Sequence, residues 1–279
     1  MNPEVRIKFY GTRGSIPVSD PDFQEFGGNT TCISIKGNLE NRIGILDAGT
    51  GIRKLGKEIL SPDNPLECNE IIILFSHFHW DHILGFPFFN PAYDPDRIIT
   101  IMAMGENLPV KDLRDIFDVA MQSEYFPVNL DDMNAKIDFL MPGKDMENIW
   151  DTKITSYKHN HPGGAYSYRF ERNDKVWTIC TDIEHGETID QNVVELAKGA
   201  DLLIHDGQFT AEELKRKKGW GHSSCDQAIS VAEQAGCKQL IITHHDPDHD
   251  DQFLRDMEIK CKDILPNCEF AREGMEIVI

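Results

Sequence analysis

Apolar positions along the chain come in short blocks rather than long stripes. Runs rich in Val, Ile, Leu and Phe, bounded by Gly, Asn, Asp or Pro, predict strands at Val5–Phe9, Cys32–Ile35, Ile43–Leu46, Ile71–Phe75 and Ile98–Ala103. The series continues at Lys153–Tyr157, Tyr166–Arg169, Val176–Cys180, Leu202–Ile204 and Leu240–Thr243. Helical spacing covers Gly51–Leu60, Val110–Met121 (apolar at 113, 116, 117 and 120), about Asp190 to Lys198, and Ser224–Ala235. Ser223 or Ser224 suits the N-cap of the last, and Gly236 its stop. Strands and helices interleave throughout, and no repeat, low-complexity tract or linker divides the chain. The expectation is therefore α/β or layered α+β in one domain, residues 1–279.

Composition narrows the function more than the fold. The 28 Lys+Arg against 47 Asp+Glu give a formal charge of −19, which disfavours long RNA or DNA as a bulk partner. No apolar run reaches membrane-spanning length, and MNPEVRIKFYGTRGS has no apolar leader core. The seven cysteines are scattered without a CxxC pair, so a reduced, cytoplasmic protein without membrane attachment is expected.

The candidate chemistry sits at strand ends. Directly after Ile71–Phe75 come Ser76 and then HFHWDH, with His77, His79, Asp81 and His82. Four metal-competent groups in six residues are too dense for packing. On an extended segment His77 and His79 point to one side and can share a cation, while Asp81 and His82 turn toward a second. Four further strand ends repeat the pattern. His161 stands in HNHPGG, Asp182 in TDIEHG, His205 and Asp206 in HDGQ, and His244 and His245 after Leu240–Thr243. His159 competes with His161 for the first of these positions. His185 and His249 read as solvated loop residues, and DPDHDD (Asp246–Asp251) as acidic surface.

Asp47 in ILDAGTG, the HFHWDH loop, His161, Asp182 and His244, in that order, resemble the metallo-β-lactamase superfamily over nearly the whole chain. The resemblance implies an αββα four-layer sandwich with a two-metal site. It implies His77, His79 and His161 on the first metal, Asp81, His82 and His244 on the second, and Asp182 bridging both. Zinc suits so many imidazoles, with manganese or iron as alternatives. Two metals roughly 3.5–4 Å apart would generate hydroxide at neutral pH, with Asp81 placed to orient it or take its proton. Asp47 reads either as a partner orienting the HFHWDH loop or as a turn aspartate before Gly49.

Within the superfamily, His79 stands where the flavodiiron branch has Glu. Asp182 and the lack of a leader argue against β-lactamases, and the 35 residues after His244 are too few for the helical domain of glyoxalase-type thioesterases. HDGQF (His205–Phe209) and GHSS (Gly221–Ser224) resemble segments of the ribonuclease Z and phosphodiesterase branch, with Asp206 standing where Glu is usual. That resemblance makes His222, backed by Asp206, the general acid that protonates the leaving oxygen. Only 20 residues separate His161 from Asp182, which leaves no room for the basic tRNA-binding arm of ribonuclease Z.

FYGTRGSIP, GGNTTC, ILDAGTGIRKLG and HWDHILGFPFFNPAY together resemble bacterial and phage proteins related to cyclic-nucleotide phosphodiesterases. The expected activity is hydroxide attack on a small phosphodiester such as a cyclic nucleotide. A cyclic ribose-phosphate phosphodiesterase, a ribonuclease Z-like nuclease and a non-catalytic metal-binding sensor are the alternatives. The resemblance also implies a homodimer. Lys215–Lys218 (KRKK) could draw an anion or be a solvated helix end, and Trp220 could stack on a base. Phe86, Phe88, Phe89 and Tyr93 could line a nucleobase pocket or a dimer contact, or pack in the core.

Overall fold

The protein is seen in a computed structural model that describes residues 4–37, 41–63, 66, 68–104, 112–142 and 148–279. The first-half strands are β1 (Val5–Gly11), β2 (Cys32–Gly37), β3 (Arg42–Leu46), β4 (Glu70–Phe75), β5 (Ile98–Ala103) and β6 (Lys136–Leu140). The remainder are β7 (Lys153–His159), β8 (Ala165–Arg172), β9 (Lys175–Cys180), β10 (Leu202–Asp206), β11 (Leu240–Thr243), β12 (Cys268–Phe270) and β13 (Glu276–Val278). The helices are α1 (Ile52–Ile59), α2 (Trp80–Ile83), α3 (Leu113–Ala120), α4 (Gln191–Ala197), α5 (Ala211–Arg216), α6 (Cys225–Ala235) and α7 (Asp251–Ile264).

Two sheets form, ordered β13-β1-β2-β3-β4-β5-β6 and β12-β11-β10-β9-β8-β7. Strands β3 to β6 run parallel in the first, and β9 to β12 in the second. Between the sheets Phe9, Ile33 and Leu74 meet Tyr168, Trp177 and Ile204 in one buried cluster. The outer face of the first sheet carries Leu55 of α1 and Phe117 of α3 on Ile73 and Ile101. The outer face of the second carries Val193 of α4, Ala228 of α6 and Leu254 of α7 on Leu203 and Ile242. The result is the expected αββα layering. Because the parallel strands are covered on both faces, β4 (EIIILF) and β10 are nearly continuous apolar runs rather than alternating ones.

Every strand expected from the sequence is present, with ends shifted by a few residues. Helix α6 starts as expected at Ser224, whose hydroxyl accepts the Gln227 N–H, and stops at Gly236 in the left-handed region (φ 66°). The expected helix 110–121 is α3, opened by the Asp112 side chain, while Val110 lies outside the described residues.

Three differences matter. His205 and Asp206 lie inside β10 rather than beyond it, because the ladder to β11 continues to the pair Asp206–Thr243. The DPDHDD run is not plain acidic surface. Asp250 caps α7 by accepting the Phe253 N–H at 2.8 Å, and buried Asp251 accepts the N–H groups of Gln24, Glu25 and Phe26. Helix α7 itself, with α2, β6, β12 and β13, was not expected, and α5 matches the helix-end reading of Lys215–Lys218. Among the described residues, no helix is long and apolar enough to cross a membrane.

Candidate metal centre

The carboxyl ends of β3, β4, β9, β10 and β11 open onto one edge of the sandwich, where crossovers between parallel strands leave loops free to converge. Asp47 follows β3, His77 to His82 follow β4, Asp182 follows β9, and His244 follows β11. Asp47, Asp182 and His244 all adopt left-handed backbone (φ 60°, 56° and 63°). Such conformations cost free energy in non-glycine residues and are held here by the surrounding contacts. They turn each side chain sharply off its strand.

Two clusters result. His77, His79 and His161 bring ring nitrogens within 4.8 Å of one another, as do Asp81, His82, Asp182 and His244 with theirs. Asp182 faces both groups: its Oδ1 lies 3.8 Å from His77 Nε2 and 3.1 Å from His244 Nε2, and its Oδ2 3.3 Å from His82 Nε2. All seven residues named from the sequence are therefore brought together.

The opposite ring nitrogens are engaged elsewhere, which turns the remaining ones toward the clusters. His82 Nδ1 lies 2.9 Å from Asp47 Oδ2, His161 Nδ1 2.9 Å from the Gly221 carbonyl, and His244 Nδ1 3.0 Å from Gln208 Oε1. His77 Nδ1 has Ser76 Oγ at 3.1 Å. Asp47 also accepts the Ser76 N–H and hydroxyl, each at 2.8 Å, so it orients the HFHWDH loop and points away from the clusters. Of its two sequence readings, this geometry matches the orienting one.

The donor set fits divalent cations on two grounds. His77 Nε2 and His82 Nε2 are buried nitrogens without a hydrogen-bond partner. The charge pattern agrees. Burial opposes a charged His82, but Asp182, Asp81 and Asp47 outweigh it and hold its pKa well above the ordinary value. His244 is pushed up to about 10, again against burial, by Asp182, Asp81 and Asp206. His77, by contrast, is held well below its usual range, first by burial and then by neighbouring His82. Carboxylates that draw protons onto His82 and His244 would draw a divalent cation in the same way.

His222 and Asp206 flank the clusters. His222 Nδ1 donates to Asp206 Oδ2 at 2.8 Å, and the ring stacks 4.9 Å from that of His244. Asp206 Oδ1 accepts the N–H groups of Gln208 and Ser223. Burial raises the Asp206 pKa, yet His222 outweighs it and holds the carboxyl below its usual range.

Several contributors carry no sequence signal. The Ser15 N–H donates to Asp81 Oδ2 at 2.8 Å. Glu184 accepts the N–H groups of Gly219 and Gly221, anchoring the loop before His222. A Cβ at Gly14 would lie 2.2 Å from His244 Nδ1, so only glycine lets the chain pass there. These contacts belong to backbone groups or to a side chain remote in sequence, so only the fold brings them to the site.

Other expectations change. His159, the competitor of His161, takes the Ser167 hydroxyl at 2.9 Å and donates to the Asp182 carbonyl at 3.1 Å, away from the clusters. His185 and His249 are buried rather than solvated, because His185 packs on His205 and His249 on Glu213 and Phe253. Phe86 and Phe89 are core residues, Tyr93 is half-buried, and Phe88 is 51% exposed. Of the basic run, Lys215 pairs with Glu212 and Lys218 with Glu187, while Lys217 lies over the Trp220 ring.

The family model of the beta-lactamase superfamily domain matches residues 42–245. Ribonuclease BN from Escherichia coli O1:K1 / APEC is 22% identical over 324 aligned residues, covering 96% of this chain and 98% of that protein. Solved structures with a similar fold include the metallo-beta-lactamase fold protein YhfI of Bacillus subtilis (TM-score 0.71, 17% identity, 99% and 100% of the two chains). Human tRNase Z, short form, superimposes with TM-score 0.68 at 18% identity over 98% of each chain. Yeast PDE1 does so with TM-score 0.67 at 15% identity over 99% and 100%. At these identities the structures share the fold.

Proposed function

The chain belongs to the beta-lactamase superfamily, and within it we propose that residues 1–279 act as one metal-dependent phosphodiesterase on small phosphodiesters, cyclic nucleotides among them. The carrying observation is the position of Asp182 between the two donor clusters, with the His222–Asp206 pair alongside. In this reading His77, His79 and His161 would hold one divalent cation, Asp81, His82 and His244 would hold the other, and Asp182 would serve both. Two bound divalent cations, zinc by donor type, would supply a nucleophile from water near neutral pH and offset charge on the attacked phosphoryl group.

The remaining roles belong to the chain. Asp206 holds the His222 Nδ1–H, so His222 Nε2 is the atom left to protonate the leaving oxygen. Ser15 fixes the Asp81 carboxylate, which is then placed to orient the attacking water. Asp47 and Gln208 fix the tautomers of His82 and His244.

Similarity to Ribonuclease BN along the chain favours a second reading, a nuclease acting on RNA. Against it, His161 and Asp182 are joined only by the β8–β9 hairpin, whose turn is Asn173–Asp174, and the chain carries −19 charges. The test is hydrolysis by the metal-loaded protein of 3′,5′- and 2′,3′-cyclic nucleotides, bis(p-nitrophenyl) phosphate and a precursor tRNA. Turnover of a cyclic nucleotide well above the activated diester is the expected result. Cleavage of the tRNA alone would establish the nuclease instead.

A further inference from the structure

Lys217 caps the C-terminal end of α5. Its ammonium sits 4.0 Å from the Trp220 ring centroid and 5.7 Å from that of Phe209. Phe209 is buried, and its ring meets His222 edge-on at 5.8 Å. The neighbouring lysines behave differently, Lys215 and Lys218 each facing a glutamate. Among the described residues no carboxylate lies within salt-bridge distance of Lys217. The amide groups on either side of Trp220, those of Gly219 and Gly221, are pinned by Glu184, so the loop presenting the indole is itself anchored. Trp220 remains 56% exposed. In a chain of net charge −19, an ammonium held by two aromatic rings, one of which also borders His222, is a cation kept available for an anion.

We propose that Lys217, seated on Trp220 and Phe209, binds a second anionic group carried by the leaving portion of the substrate. The inference rests on the phosphodiesterase reading and extends it beyond cyclic mononucleotides, to diesters with a further phosphate on the side that His222 protonates. The side follows from contact: Phe209 links Lys217 to His222, and the protonated oxygen is the leaving one. Trp220 is in this view a positioning residue for the ammonium, with one ring face already covered.

The test compares the dinucleotides ApA, pApA and ApAp on the metal-loaded protein. The native protein should favour one phosphorylated dinucleotide over ApA by about 10-fold in kcat/KM, mainly through KM, as expected for one added charge contact in a partly desolvated site. Lys217→Ala should bring that ratio close to one, Lys217→Arg should retain most of it, and Lys215→Ala should leave it intact. Trp220→Leu should reduce the ratio and Trp220→Phe less so.

Equal kcat/KM on all three dinucleotides, or a preference that survives Lys217→Ala, overturns the assignment. Calorimetric binding of adenosine 3′,5′-bisphosphate separates the two layers of the argument. Affinity that falls about 10-fold in Lys217→Ala without any diester hydrolysis counts against the phosphodiesterase reading and supports the anion site. Affinity unchanged by Lys217→Ala in a protein that does hydrolyse diesters counts against Lys217 alone.

Discussion

Asp47 Oδ2 lies 2.9 Å from His82 Nδ1, joining two fully buried side chains, one directly after β3 and the other on α2, beyond the neighbouring parallel strand β4. The pair fixes which nitrogen His82 turns toward Asp81 and Asp182. Burial raises the Asp47 pKa, and the His82 contact only partly offsets it. Asp47→Asn is expected to lower metal affinity about 10- to 100-fold while the fold is retained. Metal titration followed by circular dichroism checks this, and unchanged affinity would leave Asp47 a purely structural turn residue.

Removing the carboxylate between the clusters should act on both at once. Asp182→Ala is expected to abolish hydrolysis and to reduce bound metal from about two ions per chain, the number a two-metal site holds. Elemental analysis of the purified variant is the readout, and full stoichiometry with full turnover would contradict the bridging role.

His222→Ala should separate chemistry from metal binding. It is expected to keep its metal content and to slow turnover by about 10²–10⁴-fold, the usual contribution of a general acid. The loss should shrink with a p-nitrophenyl leaving group, which needs little protonation. Equal slowing on activated and natural diesters would remove His222 from that role.

Glu258 on α7 accepts the Phe270 N–H at 2.9 Å and two contacts from Arg272 at 2.7 and 3.1 Å, tying the helix to β12. Burial raises its pKa, but Arg272 and the Phe270 amide outweigh that and hold it below the ordinary value. A folded value below the unfolded one means that the ionised carboxylate stabilises the fold. That contribution is complete above about pH 4.5, the unfolded range, and is lost as pH falls through the lower folded value. Glu258→Gln should therefore cost about 1–3 kcal/mol in urea unfolding at pH 7. The difference from the native protein should narrow as the pH falls below about 4.5 and through the lower folded value, and a constant difference would show that charge is not involved.

How much of this could be read from the chain depends on where the information sits. HFHWDH was legible because four donors fall in six residues just past a buried strand; the extended stretch aligns His77 with His79, while Asp81 and His82 are carried by α2. His161, Asp182 and His244 were legible as donors at further strand ends. The interleaved apolar blocks left α/β and layered α+β open, and the resemblance carried by the strand-end motifs implied the αββα sandwich. Asp47 stayed open between two readings, because a turn aspartate and an orienting one look alike until His82, 35 residues away, is placed beside it. His185 and His249 looked solvated because burial depends on what packs against a loop, here His205, Glu213 and Phe253.

The sequence by itself determined the layered fold and which side chains could hold metal. Only the tertiary structure decided how those side chains are held. Ser15, Glu184 and Gln208 act through contacts to partners between 35 and 66 residues away, and Lys217 acquires its seat only when Phe209 and Trp220 are both brought to its ammonium. Such contacts leave no pattern in composition or spacing, because backbone amides are common to nearly every residue and their direction is set by the fold.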